Sequence, residues 1–470
     1  MAWLRLDVLG GARPFAPVAH VFIYGNSITA GGAASIVGRT DYSSRVRDKL
    51  TLIDSLAGRT SDWSLSFLGH PGQSATDMLA GGAGSEANTD IPANYVAGKR
   101  NIFVFFEILN DINQGRTGIE AAANVATMCA LAKSHGFDIC IALTCFQTIL
   151  FTSGQNAEIV IANNLVLSDT SGAIDLVSDS GSDPRLQDTD ARYFSGVHPL
   201  DPGHAILADY LLPLVQLAYE RAGGIQHTFS PLAVPDLVFS YIAEPNLLTK
   251  TGTDVSLWQD ISGYARDVTA SGTNRPLFNP SNPNFNGRPT LDSLINTNMV
   301  TPAFDLSITR AMEIIVVYSA VDADPIPLNN QFVAEFSTNV GEPGTFRCMH
   351  SRNSTGPEID AFGEFGGNFS HAEGIGRPAA ISFIFDFNLP AAEQTTLLQD
   401  GEPPPSLFSN NSVANTSLLG THVLSLFARA PAILPLKGSI AAIFGYSRTL
   451  SISERADNET FISNRWATRP

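Results

Sequence analysis

Val21-Phe22-Ile23-Tyr24-Gly25-Asn26-Ser27-Ile28-Thr29 is the stretch from which the fold is read. Four apolar residues run straight into Gly-Asn-Ser, and the small residues Ala30-Gly31-Gly32-Ala33 follow. A run this short, β-branched or aromatic throughout, predicts a strand buried on both faces. Gly25 permits a tight turn as the strand leaves the sheet. Ser27 then sits at the carboxyl end of a parallel strand, where open α/β sheets place their ligands. A serine hydroxyl is a weak nucleophile at neutral pH and needs a base. Taken alone, the tripeptide reads as a helix N-cap; other segments decide the matter.

Working outward, residues 18–223 alternate strand and helix patterns. A helical stretch at Tyr42–Leu56 precedes the apolar run Leu65–Leu68, and Ile102–Phe106 reads as a central parallel strand. Thr117 and Glu120 have capping-box spacing and Gly136 supplies a stop, which predicts a helix between them. A strand at Ile139–Leu143, a helix over 157–167, a fifth strand at Ala173–Val177 and a helix over Ala205–Arg221 complete the unit. The expectation is an α/β domain: five parallel strands flanked by helices. Residues 1–17, with Gly10-Gly11, Pro14 and Pro17, read as an arm, and 224–236 as a linker. From 237 to 470, Gly, Asn, Pro, Ser and Thr punctuate short apolar runs such as Glu313–Tyr318, Gln331–Phe336 and Ser439–Tyr446, which predicts an all-β sandwich ending in a helix over Ser453–Trp466.

Composition narrows the function classes. Of 470 residues, 44% are hydrophobic and 16% charged, so the chain is globular, and its length suits two or three domains. The net charge of −17 divides into −8 over residues 1–223 (14 Lys and Arg against 22 Asp and Glu) and −9 over the rest. Neither half is basic, which argues against nucleic-acid or anionic-membrane partners. No apolar run approaches the roughly 18 residues of a membrane span. The start, with Arg5 and Asp7, does not read as a secretory signal. Cys129, Cys140, Cys145 and Cys348 lack zinc or redox spacing and are expected as buried thiols. No His, Asp or Glu cluster has metal-ligand spacing, and no cofactor is expected.

Three segments supply what Ser27 lacks. Gly69-His70-Pro71-Gly72 follows the second strand and offers a backbone N–H at Gly72; Glu107-Ile108-Leu109-Asn110-Asp111 follows the third and offers the Asn110 amide. Ser195-Gly196-Val197-His198-Pro199 precedes the last helix and brings His198 into reach as a base. A hydroxyl, an imidazole and neutral donors on one sheet edge are what acyl transfer requires. Asp111 reads as a turn or N-cap residue, His70 as a loop side chain, His204 as a first-turn helix residue, and Glu107 as the partner of a neighbouring cation.

These blocks, Gly25-Asn26-Ser27-Ile28-Thr29, Gly72, Asn110-Asp111 and His198-Pro199, in this order, resemble the SGNH (GDSL-like) hydrolase superfamily over about 18–223. The resemblance implies Ser27 as nucleophile, His198 as base and then acid, and the Ser27 and Gly72 N–H groups with the Asn110 side chain as an oxyanion hole. Two departures stand out. Ile108 replaces the Gly often found two residues before the Asn. The family's acid lies three residues before the His, and that position is Ser195. Another acid, Asp190 or Asp201, fills the role, or a backbone carbonyl holds the imidazole as a Ser–His dyad, or the site is weakened.

The second half resembles a concanavalin A-like (laminin G-like) jelly roll through Trp258-Gln259-Asp260-Ile261-Ser262-Gly263, Arg275-Pro276, Asn286-Gly287-Arg288-Pro289 and Ile440–Arg448. Trp258 is expected in the core rather than as a sugar platform. Asn353, Asn368, Asn410 and Asn415 head Asn-X-Ser/Thr triplets, read as loop composition. An esterase joined to a lectin-like sandwich implies a carbohydrate O-deacetylase with a polysaccharide or glycan as substrate or receptor. The arm and the lack of a signal suggest a phage tail fibre, a homotrimer docked on a virion through residues 1–17. The alternatives are a free bacterial carbohydrate or lipid esterase, cytoplasmic or exported without a signal, and a non-enzymatic glycan-binding module on a decayed hydrolase scaffold.

Overall fold

The computed structural model describes residues 19–56, 63–221, 230–293, 297–320, 331–338, 342–351, 356–363, 366–372, 379–404, 407–410, 418–429, 434–466 and 468. The arm at 1–17, residues 224–229 of the segment read as a linker, Asn353 and Asn415 lie outside the described residues. The chain divides into two compact units, Met1–Thr228 and Phe229–Pro470.

The first unit runs β1 (Ala19–Asn26), α1 (Tyr42–Leu56), β2 (Trp63–His70), α2 (Ala75–Leu79), α3 (Glu86–Ala93), β3 (Arg100–Phe106), α4 (Leu109–Asn113), α5 (Gly118–Ser134), β4 (Ile139–Leu143), α6 (Ser153–Leu167), β5 (Leu176–Ser178), the hairpin β6 (Phe194–Ser195) and β7 (His198–Pro199), and α7 (Asp201–Arg221). Five strands form one sheet in the order β2-β1-β3-β4-β5, all parallel. Helices flank the sheet: α1 packs with α7, and α5 with α2, α3 and α6. All eight β1 residues are buried, as the apolar run predicts. After β2 the chain crosses back past β1 to build β3, so the order reverses at β1/β3. That reversal opens a crevice at the carboxyl ends of these two strands. The register levels them there, with Gly25 opposite both Gly69 and Phe106.

Gly25 serves space rather than a special dihedral: an added Cβ would press on the Phe106 carbonyl and the Thr29 hydroxyl. β5 begins later than Ala173 because a side chain does the pairing ahead of it. The Asp175 carboxylate accepts from Cys140 N–H at 2.8 Å, while Asp175 N–H donates to Cys140 O. Thr117 and Glu120 form the expected capping box, and Thr152 with Gln155 forms a second one that starts α6 earlier than its apolar pattern. All four cysteines are free and buried.

The second unit is an antiparallel β-sandwich. The strand Ala311–Ala320 lies between Ala379–Asp386 and Gly438–Tyr446, and Gly438–Tyr446 also pairs with Leu237–Ile242 and Arg288–Ser293. Gln331–Phe336, Thr345–Ser351, Gly356–Gly363 and Gly366–Ala372 pair in succession. Ile314, Val316, Phe383 and Phe385 from the first set share one core with Ala334, Phe336, Phe346 and Ile359 from the second. Trp258 is fully buried there and donates its Nε1–H to Ile242 O at 2.8 Å. Asp260 is a hub, accepting from the N–H groups of Ser240, Ser262 and Arg266. Asn286 and Gly287 both take positive φ at a turn. The last helix, α8 (Ile452–Trp466), is tied to this unit by Arg455 on Glu313. Pro231 and Leu232 are buried in the same unit, and Tyr446 donates to Pro231 O.

Candidate active site

β1 ends in a helical turn: Ala30 N–H donates to Asn26 O, Gly31 N–H to Ile28 O and Gly32 N–H to Ser27 O. Ser27, half-buried, caps no helix. Its Oγ lies 2.9 Å from His198 Nε2. His198 comes from a two-residue hairpin rather than a loose loop. Ser195 and His198 are cross-strand partners, and Gly196 supplies the positive φ of 66° at the first central position of the turn.

What holds the imidazole is packing. A Cβ on Gly32 would lie 2.7 Å from His198 Cδ2 and 2.9 Å from Ser27 O, so the ring rests on a bare Cα of the nucleophile turn. His204, in the first turn of α7, supports that turn from behind. Its Nδ1 accepts from Tyr42 N–H at 3.3 Å, which assigns the proton to Nε2, and Nε2–H donates to Gly32 O at 3.1 Å. Burial pushes the His204 imidazole down to about 4, and its ring stacks on Tyr42. With both nitrogens committed, His204 is a neutral strut and no base.

Neither acid proposed for the missing third position reaches His198. Asp190 is taken by Arg192, whose side chain and N–H bond it and hold its carboxyl down at about 2. Asp201 begins α7 and accepts from Ser35 N–H and Oγ–H. Ser195 is exposed. Among the described residues His198 Nδ1 has no hydrogen-bond partner, carboxylate or carbonyl.

Of the expected oxyanion donors, Ser27 and Asn110 line one cavity of about 220 Å³. Asn110 Nδ2 donates to Gln73 O at 2.8 Å, which brings the turn after β2 alongside. Its second hydrogen makes only a long 3.4 Å contact with Glu107 and is the donor on offer. Gly72 sits in that turn, between Pro71 and Gln73, with φ 80° and Gln73 N–H closing onto His70 O. It is not among the cavity's lining residues, which are Asn26, Ile28, Leu109, Asn113, Leu150, Phe151 and Val197 besides Ser27 and Asn110. None of these carries a charge, so the cavity suits a neutral group.

Other residues fall differently from expectation. Glu107 meets amides rather than a cation: Asn26 Nδ2 donates to it, as do the N–H groups of Asn110 at 2.6 Å and Asp111 at 3.2 Å. Asp111 is no cap. Buried in α4, it accepts from Thr76 and Asn124 and staples α4 to α2 and α5. His70 ends β2 and pairs with Asp90 at 2.9 Å. The sequence signals for Glu107 and Gly32 were an acid ending a wholly apolar run and a Gly-Gly pair after the serine. Among the described residues no group of three or more His, Cys, Asp or Glu is placed to hold a metal, and no helix is long and apolar enough to cross a membrane.

No family model matches the chain, and no curated protein does. Among solved structures, it is similar to a Trypanosoma rangeli sialidase in complex with the inhibitor DANA (13% identity, TM-score 0.33), with 48% of this chain covered and 33% of that one. It is similar also to a member of the lipolytic protein G-D-S-L family from Veillonella parvula (16% identity, TM-score 0.32, 42% of this chain and 97% of that one). A third likeness is to LAE5, an alpha/beta hydrolase enzyme from the metagenome of Lake Arreo, Spain (16% identity, TM-score 0.33, 42% of this chain and 95% of that one). This chain thus spans about a third of the sialidase's length. Overlaps so partial leave the geometry of the site as the evidence for its chemistry.

Proposed function

We propose that the protein is a serine esterase in which Ser27 attacks the ester carbonyl and His198 moves the proton. The observation that carries this is the 2.9 Å Ser27 Oγ–His198 Nε2 hydrogen bond at an uncharged cavity. His198 Nε2 takes the hydroxyl proton as the Oγ–C bond forms, then delivers it to the departing alkoxide. Water attacks the acyl-enzyme by the same relay. The Ser27 N–H group and the Asn110 amide, which line the cavity, receive the oxyanion, and the Gly72 N–H joins them only if the turn after β2 moves in. With no carboxylate on Nδ1, the imidazolium is stabilised less than in a triad.

The substrate class we favour is an O-acetylated cell-surface polysaccharide, gripped or deacetylated by a trimeric virion tail fibre with its arm docked on the particle. What supports it is the pairing of an ester site with a β-sandwich, and a small neutral cavity lined partly by amides. Acetate release from acetylated bacterial polysaccharide is expected with wild type, reduced about 10⁴-fold or more in Ser27→Ala and His198→Ala. Equal background rates for all three would favour a second reading, a glycan-binding module, for which Ser195 and the unpartnered Nδ1 speak. A monomer that attaches to no particle would instead favour a free esterase.

A further inference from the structure

Glu107 is a buried acid for which the acyl-transfer steps have no use. It follows the last residue of β3, is 1% exposed, and bonds only N–H donors. One oxygen accepts from the N–H groups of Asn110 and Asp111 at the start of α4. The other accepts from Asn26 Nδ2 and makes the 3.4 Å contact with Asn110 Nδ2. Among the described residues no cation lies within ion-pair distance of it. Asn26 passes the constraint on, because its Oδ1 accepts from Ile28 N–H at 2.8 Å. The Asn26 side chain therefore brackets Ser27, and a single carboxyl group joins the nucleophile turn after β1 to the amide after β3.

We propose that Glu107 is a positioning residue of the ester site, its carboxylate fixing the Ser27 turn and the Asn110 amide relative to one another. The proposal rests on the esterase reading. A carboxylate suits the place because both of its oxygens must accept, one from Asn26 Nδ2 and the other from the Asn110 and Asp111 N–H groups. An amide would turn its own NH₂ toward Asn26 Nδ2, and Asn26 cannot flip without losing Ile28 N–H. The groups facing Glu107 add no positive charge: Asn26 from β1, Asp111 from α4, and Cys145 beyond β4. Burial pushes its carboxyl up to about 8, against the pull of the N–H donors. The form that accepts all three donors is the ionised one, so the site is fully assembled only as pH rises through that value.

The experiment measures kcat, KM and the pH–rate profile on p-nitrophenyl acetate for wild type, Glu107→Gln and Ser27→Ala, with thermal melts as the folding check. Glu107→Gln is expected to lower kcat by about 10²-fold, with KM within about threefold, because misplacement of the reacting groups costs the transition state rather than binding. Wild-type kcat is expected to climb through a limb near pH 8. In Glu107→Gln that limb disappears. A folded Glu107→Gln with wild-type kcat and profile, while Ser27→Ala is dead, overturns the positioning role alone. Full activity in Ser27→Ala overturns the esterase reading and this proposal with it. If Glu107→Gln does not fold, Asn26→Ala, which cuts the link between Glu107 and the Ser27 turn, decides: a folded Asn26→Ala with wild-type kcat overturns the role.

Discussion

Glu107, just past the end of β3, and Glu313, within a strand of the sandwich, are both buried acids, at 1% and 0% exposure, yet their surroundings are opposite in kind. In the sandwich, Glu313 meets the Arg455 guanidinium, whose Nε and Nη2 reach its two oxygens at 2.9 and 2.7 Å, and Leu450 N–H completes the set. In the α/β unit, Glu107 meets only neutral N–H groups. The contrast extends beyond the two acids. Arg448 bonds Asp236 and Glu454 at the edge of the sandwich, whereas Ser27 and His198 are held by a hydrogen bond, a bare Cα and a neutral histidine. Charge clamps charge where the task is to fasten a helix. Around the serine and the imidazole the contacts are neutral instead.

The largest expected effect lies on the clamped side. Arg455→Ala leaves Glu313 buried without its cation and should cost about 3–5 kcal/mol, because the carboxylate keeps its desolvation penalty and loses its partner. Melts of the whole chain should show the sandwich transition falling while esterase activity, assayed below that transition, is unchanged. A parallel loss of activity at low temperature would break the separation drawn here.

On the neutral side the steric contact is the most exposed to attack. Gly32→Ala is compatible with the backbone, since no positive φ is required, but its methyl group would meet His198 Cδ2 and Ser27 O. The ring must swing away, and kcat should fall by about 10²-fold with little change in KM. Wild-type turnover in Gly32→Ala would mean that something other than packing orients the base.

How much of this was legible in the residues depends on whether a signal is local. The apolar run before Gly25, the capping box at Thr117 and the alternating blocks fixed the parallel sheet and placed Ser27, Asn110 and His198 on one edge, because period and punctuation are properties of neighbours in sequence. The fate of acids was not legible. Asp190 looked available, but Arg192 two residues away takes it. Asp201 looked available, but the loop at Ser35 takes it. Glu107 looked like half an ion pair and instead joins two turns, through a residue 81 positions away. Partners chosen across the fold leave no periodicity to read. Gly25 taught the same lesson in miniature: the need for glycine was right, and the cause was a neighbour's carbonyl rather than its own dihedral.

Adding a charge to the neutral side sharpens the comparison from the other direction. Ser195 is the direct cross-strand partner of His198, and side chains so placed have Cβ atoms about 4.5–5.5 Å apart. Ser195→Asp therefore offers a carboxylate to an imidazole whose Nδ1 has no partner among the described residues. It should raise kcat by about tenfold by stabilising the imidazolium formed as Ser27 is deprotonated. A fall in kcat would say that packing on Gly32 already sets the ring and that a carboxylate draws it off line.

The smallest effect is the one that isolates the dyad. Asp190→Asn loses an exposed pair with Arg192, and Asp201→Asn keeps an acceptor for Ser35 at the start of α7; neither touches His198. Exposed pairs contribute about 0–1 kcal/mol, so each variant should keep kcat within about twofold and the same pH profile. The two acids lie nearest His198 in sequence, so a large loss in either would restore a carboxylate to the mechanism by rearrangement during turnover. Two near-neutral results, set beside a gain in Ser195→Asp, would leave a base oriented by shape alone. The acid left for the site to depend on would then be Glu107, behind the serine and the amide rather than behind the histidine.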